Sequence, residues 1–221
     1  MRLVLLRHGQ TPSNVAGALD TGPPGAELTD LGHRQAAAVV GALDGARVDA
    51  VYASDRVRTQ LTAAPLAGER GLVVPVLPEL GEVSAGDYEM RTDHAAVEAY
   101  LSCLGTWLDG DLDHRLPGGE TGHAFLERFG AAVAAATADR ADDATVVLVS
   151  HGAAIRTYAE LRATGGGDAP ERMRLDNTGA VVLDGDPAAG WRVASWTGTP
   201  LGGAHLRDGR AHDVTGDEPE E

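Results

Sequence analysis

Three short apolar runs constrain this chain more than anything else in it. LVLL (3–6), VDAVYA (48–53) and ATVVLV (144–149) are strand-length and largely apolar at odd and even positions alike. A strand of that kind must be covered on both faces, the condition met by a parallel sheet between helices. Each run then stops at polar residues: Arg7 and His8 after the first, Ser54 and then Arg58 after the second, Ser150 and His151 after the third. In a parallel sheet these ends point the same way, and ligands of open α/β sheets sit beyond them. Two arginines and two histidines, far apart in sequence, are therefore expected to converge, with Gly9 and Thr11 beside them.

The stretches between the runs read as helices. Thr29 is an N-cap candidate ahead of helical spacing from Leu31 to Leu43. DRVRTQLTAAPLAGERG (55–71) is a helix that Pro65 kinks or interrupts and Gly71 ends. LVVPVL (72–77) is a short extended segment, two helical stretches are expected around 93–104, and a long amphipathic helix begins near Gly122. GAVVLDGD and WRVASWTG read as antiparallel edge strands meeting near Asp186 to Gly190. The order predicts an α/β three-layer sandwich: a mostly parallel central sheet, helices on both faces and a helical insert over the site. The expected organisation is one domain over 1–206, with an insert at about 84–122 forming part of the pocket lid. Residues 207–221 are acidic, lack apolar periodicity and are expected to be disordered.

Charge and cysteine usage narrow the partners. The net charge of −15, from 18 Lys+Arg against 33 Asp+Glu, argues against nucleic acid or an anionic membrane. An anion site must then be local, since charges are screened beyond about 8–10 Å. Every basic residue is arginine, so position and not number carries the argument. The single cysteine, Cys103, excludes an internal disulfide, and no Cys/His cluster has zinc spacing. No secretory leader pattern or run of about 20 apolar residues occurs, so a cytoplasmic protein is expected.

Two convergent arginines suit a phosphoryl group, with a carboxylate as the competing ligand. A histidine among cations is a poor metal ligand, but its neutral imidazole can attack phosphorus near neutral pH. Such a displacement needs an acid for the leaving oxygen, and PELGEVSAGDYE offers Glu79, Glu82, Asp87 and Glu89 without choosing among them.

The motifs also carry a resemblance. LLRHGQT, ELTDLGHRQA, VYASDRVRTQLTA, LPELGEVSAGDYEM, PGGET and VVLVSHGAAIR occur in this order over residues 3–156. Together they resemble the histidine phosphatase superfamily, which includes phosphoglycerate mutases and many phosphatases. The resemblance implies that His8 is the phosphorylated nucleophile, that Arg7, Arg58 and His151 line the phosphate pocket, and that Glu82 is the acid/base carboxylate. It implies substrate contacts at Asn14, at the Thr21-Gly22 pair and at Gly152 or a neighbour. Thr121 reads first as a helix cap, with a donor to phosphate as the alternative. The loop 15–27 lacks the arginine usual in the family, and Met90 stands where a glycine is usual.

The expected function is a metal-independent phosphomonoesterase acting on a small phosphorylated metabolite, with no cofactor. The alternatives are a cofactor-dependent mutase and a non-catalytic phospholigand-binding protein. The insert offers only Arg91 and Arg115 as extra cations, which favours hydrolysis over mutase chemistry. A homodimer is compatible with the sequence and not readable from it.

Overall fold

In the computed structural model, which describes residues 1–165 and 174–214, six strands form one sheet. They are β1 (Arg2–Arg7), β2 (Ala50–Ala53), β3 (Thr145–Ser150), β4 (Ala163–Thr164), β5 (Ala180–Asp186) and β6 (Gly190–Thr197), in the order β2-β3-β1-β5-β6-β4. β3 runs parallel to both β1 and β2, and β5 is antiparallel to its neighbours β1 and β6. β4 is parallel to β6, so five of the six strands point one way. Arg7 pairs with Ser150 and Ala53 with Val149, which brings the three polar strand ends level.

Alternation along the central strands makes two cores. Leu3, Leu5, Val146 and Leu148 face α4 (His94–Leu108), α5 (Gly122–Thr137) and α6 (Gly152–Arg162), where Tyr100, Phe125, Phe129 and Ile155 are buried. Val4, Leu6, Val147 and Val149 pack with Val39 of α2 (Asp30–Ala42) and Leu66 of α3 (Val57–Arg70). The run that reads as covered on both faces is so covered, and the architecture is the expected α/β sandwich.

Local chemistry sets the helix ends. Thr29 Oγ1 accepts from Gly32 N at 3.0 Å at the start of α2, and α3 ends at Gly71 with φ +63°. Pro65 lies inside α3, which continues through it.

Four expectations change. GAVVLDGD is β5, between β1 and β6, and WRVASWTG is in β6, between β5 and the two-residue β4, so neither is an edge; the polar second half of β5 resembles an edge, but its first half is buried. LVVPVL forms only an isolated bridge, Val76 to Ala53, because Pro75 has no N–H for a ladder. The two helical stretches near 93–104 are one helix, α4, started by Asp93 capping Ala96 N. Residues 207–214 are seated on the domain: Asp213 is buried, in an ion pair with Arg7. Composition registers the acidity of this segment but not a buried partner for one carboxylate. Residues 215–221 lie outside the described residues. Among the described residues no helix is long and apolar enough to cross a membrane.

Met90, noted for replacing a glycine, has φ +62° and an exposed side chain. Left-handed backbone costs an L-residue about 1–2 kcal/mol, tolerable where one buried aliphatic side chain contributes about 1.5–3 kcal/mol. The turn is held by Met90 N donating to Leu19 O at 3.0 Å and Leu19 N to Arg91 O at 3.0 Å. Met90→Gly is expected to raise stability by about 0.5–1 kcal/mol, the strain relieved less the unfolded-state entropy glycine adds. Urea denaturation of both forms checks this.

Candidate active site

β1 delivers Arg7 and His8 to the end of the sheet, and the chain then turns sharply at Gly9. A Cβ on Gly9 would stand 2.7 Å from Gly32 O, and one on Gly32 would stand 2.2 Å from Gln10 O. The two glycines let the N-terminal end of α2 lie directly against the segment that carries His8. Gly9 N donates to Thr62 Oγ1 on α3 at 2.9 Å, which ties the turn to the helix that carries Arg58.

His8 is buried, and its Nδ1 lies 2.7 Å from Gly9 O. A carbonyl only accepts, so Nδ1 carries the proton of the neutral ring and Nε2 keeps its lone pair. The His8 and His151 rings meet edge to face, with centroids 5.1 Å apart. His151 Nε2 pairs with Ser54 Oγ at 2.8 Å, and Ser54 Oγ also lies 2.9 Å from Thr59 Oγ1. Ser54 thus orients His151, drawing together the ends of β2 and β3.

Both arginines are buried and each is partly satisfied. Arg7 donates from Nη1 to Leu175 O and from Nη2 to Asp213 Oδ1, each at 2.6 Å. Arg58 Nη2 donates to Asp20 O at 2.7 Å, while its Nη1 stands 3.4 Å from Asp20 Oδ1. What remains is informative: Arg7 Nε, Arg58 Nη1 and His151 Nδ1 are buried polar atoms without a hydrogen-bond partner. An unmet buried arginine donor costs about 1–3 kcal/mol, and an acceptor-rich anion is the group that relieves it. Arg7, His8, Arg58 and Glu82 line one pocket with Asn14 and Tyr100.

Glu82 follows a 3₁₀ turn at Pro78–Leu80, held by Ser150 Oγ donating to Leu80 O at 2.7 Å. Arg128 of α5 donates to the carbonyls of Glu79, Gly81 and Glu82 at 2.7–2.9 Å and braces the segment. The Glu82 carboxylate accepts from the N–H groups of Val83, Ala153 and Ala154 at 2.7–3.1 Å. Of the four acids that the sequence leaves open, Glu82 lines the pocket.

The substrate-contact set divides. Asn14 lines the pocket, donating to Asp213 Oδ1 at 3.2 Å and accepting from Thr11 and Asn177. Thr21 also lines it, but its N–H, its hydroxyl and Gly22 N all bind the Glu89 carboxylate. The structure does not bring Gly22, Gly152 or Thr121 to the lining, nor His151, which is buried and meets the His8 ring edge to face. The N–H groups after Gly152 bind Glu82, and Thr121 Oγ1 accepts from Ala124 N at 3.2 Å as the cap of α5. Of its two readings, Thr121 has the capping one.

Asp20, Asp213, Asn177, Tyr100 and Arg128 are parts of the site that the sequence reading missed. Topology holds a signal for Asn177: β5 runs antiparallel to β1 with Ala180 opposite Leu6, so the residues entering β5 lie where β1 ends.

Burial, the nearby Arg58 and then Arg7 hold the His8 pKa well below 6.5; burial, Arg58 and His8 do the same for His151. Both rings stay neutral in the folded state at pH values where the unfolded chain takes up protons. Stability is therefore fully present above about pH 6.5 and falls below it, by up to about 1.4 kcal/mol per pH unit for each histidine. Chemical denaturation at pH 7.5, 6.5 and 5.5 should show this fall, and His151→Gln should flatten it. Among the described residues no group of three or more His, Cys, Asp or Glu side chains could hold a metal ion.

The chain belongs to the histidine phosphatase superfamily (branch 1), whose family model matches residues 3–199. It is 38% identical over 218 residues to the PE-PGRS family protein PE_PGRS11 of Mycobacterium tuberculosis, covering 91% of this chain and 37% of that protein. It is 32% identical over 214 residues to glucosyl-3-phosphoglycerate phosphatase of Mycobacterium tuberculosis, covering 88% and 93%. A solved mycobacterial glucosyl-3-phosphoglycerate phosphatase, in complex with VO3, superimposes with a TM-score of 0.71 at 30% identity, over 90% of this chain and 99% of that one. The chain spans well under half the length of the first of these relatives and nearly all of the others.

Proposed function

We propose that the protein is a metal-independent phosphomonoesterase that hydrolyses a small phosphorylated metabolite through a phosphohistidine on His8. One observation carries this reading: Arg7 Nε, Arg58 Nη1 and His151 Nδ1, buried and without hydrogen-bond partners, accompany a His8 ring whose Nδ1 is held by Gly9 O and whose Nε2 keeps its lone pair. In the first step His8 Nε2 forms a bond to phosphorus, the bond from phosphorus to the ester oxygen breaks, and Glu82 gives that oxygen a proton. Water then attacks phosphorus, the bond to Nε2 breaks, and Glu82 takes back a proton. The two arginines and His151 offset charge on the phosphoryl oxygens throughout.

The similarity to an enzyme named for glucosyl-3-phosphoglycerate supports a phosphorylated metabolite as substrate. Arg91 is exposed and paired with Asp93, and Arg115 is exposed, so the insert brings neither to the pocket lining as bisphosphate chemistry would require. The same reading has the protein acting in the cytoplasm on small molecules, without nucleic acid or membrane as partner.

The test is phosphate release from a panel of phosphorylated metabolites with EDTA present, run beside 3-phosphoglycerate plus 2,3-bisphosphoglycerate scored for isomerisation. Selective release supports hydrolysis. Isomerisation without net release overturns it in favour of a mutase, and binding without turnover overturns it in favour of a sensor.

A further inference from the structure

We propose that Asp213 is a positioning residue for phosphoryl transfer: it sets the Arg7 guanidinium and the Asn14 amide around the phosphoryl site, so that transfer requires residues 207–214 to be seated. The proposal rests on the phosphatase reading and assigns a role to a segment whose composition marks it only as acidic.

The Asp213 carboxylate touches both sides of the site at once. Its Oδ1 accepts from Arg7 Nη2 at 2.6 Å and from Asn14 Nδ2 at 3.2 Å. Asn14 Oδ1 accepts from Asn177 Nδ2 at 3.2 Å, and the same Asn177 Nδ2 lies 3.2 Å from His8 O. A chain of hydrogen bonds thus runs from Asp213 to the backbone of the nucleophile. With Leu175 O holding Nη1, Asp213 supplies the second of two acceptors that set the plane of the Arg7 guanidinium, leaving Nε unpartnered. One acceptor would let the group swing; two restrict it, and transfer geometry tolerates little misplacement.

The segment is tied down by two ion pairs, Arg7–Asp213 and Arg207 Nε to Asp176 Oδ2 at 3.7 Å, by Val214 against the core, and by single hydrogen bonds. His212 N donates to Val15 O at 3.3 Å and Gln10 Nε2 to Asp208 Oδ2 at 2.9 Å, and 207–214 contains neither helix nor strand. Asp213 and Val214 line the pocket. A carboxylate beside a phosphoryl group is repulsive, so Asp213 acts either as a competitor that must leave or as an orienting group that stays. Arg7 Nε, which stays without a hydrogen-bond partner while Asp213 holds Nη2, favours the second.

The experiment uses the full chain with p-nitrophenyl phosphate as the probe. It compares wild type, Asp213→Ala, Asp213→Asn and Asp213→Glu for kcat, KM, inhibition by inorganic phosphate, and Tm. Asp213→Ala is expected to lower kcat by about 30- to 100-fold, with KM changing less than about threefold. Asn retains an acceptor at the same reach and should recover kcat to within about fivefold, whereas Glu keeps the charge, shifts the acceptor and should not. A lower KM and tighter phosphate inhibition in Asp213→Ala at unchanged kcat would identify a competitor and overturn the proposal. Unchanged kinetics in all three variants would do the same, as would Glu matching wild type while Asn fails. If Asp213→Ala does not fold, the Asn and Glu variants decide. Wild type that releases no phosphate, or His8→Ala that releases it as fast, would sink the phosphatase reading independently of Asp213.

Discussion

Replacing His8 by alanine is expected to remove phosphate release almost completely, by about 10⁴-fold or more, because the hydroxyls of Ser13, Thr21 and Tyr100 in the lining already donate to Asp20, Glu89 and the Val83 carbonyl. Nε2 of His8 is the lone pair that the hydrogen bond from Nδ1 to Gly9 O leaves available. His151 does not substitute, because its Nε2 is engaged by Ser54. The fold should survive, since the ring contributes one edge-to-face contact and one local hydrogen bond. Rapid-quench capture of an acid-labile, base-stable phosphoenzyme in wild type and its absence from His8→Ala would check the chemistry directly. An alanine variant that still turns over would remove His8 from the mechanism.

The second large effect is expected at Arg58. It contributes a buried Nη1 that has no hydrogen-bond partner and stands 3.4 Å from Asp20 Oδ1, and α3 places it beside His8. Losing one preorganised donor from a site of developing charge typically costs 10²–10³ in rate, so Arg58→Ala should lose about that factor in kcat/KM. Lysine lacks the planar fork that serves Asp20 O and the phosphoryl group together, so Arg58→Lys should recover at most about tenfold. The alanine variant also removes the Arg58–Asp20 ion pair, leaving the carboxylate with the Ser13 hydroxyl and Ala26 N as donors. Tm measured beside the kinetics separates that structural loss from the catalytic one.

Much of the site was legible because strand ends are legible. Apolar runs that stop abruptly at Arg7-His8, Ser54 and Ser150-His151 placed these residues together without any knowledge of contacts, and register does the rest. The helix caps at Thr29 and Gly71 were readable for the same local reason. What could not be read depends on pairings without sequence proximity. Asp20 and Asp213 are two acids among 33 Asp+Glu, and nothing in their neighbourhoods distinguishes a carboxylate that neutralises a buried guanidinium from one facing solvent. Thr121 reads as a cap ahead of a donor to phosphate, and its bond from Ala124 N, away from the pocket lining, bears the cap out. The Thr21-Gly22 pair has the composition of a ligand loop, yet Glu89, 67 or 68 positions away, takes its donors.

The order of strands in the sheet bears on how the chain is made. β1 is flanked by β3 and β5, whose residues begin at Thr145 and Ala180. At about 5–20 residues per second, the strand that carries the nucleophile waits about 10 seconds or longer on the ribosome before either neighbour exists. Through that interval LVLL is an apolar β segment with both edges open, the kind of sequence that pairs with the wrong chain. Production of intact protein should accordingly be limited by the nascent polypeptide's protection from self-association more than by the stability of the finished sheet.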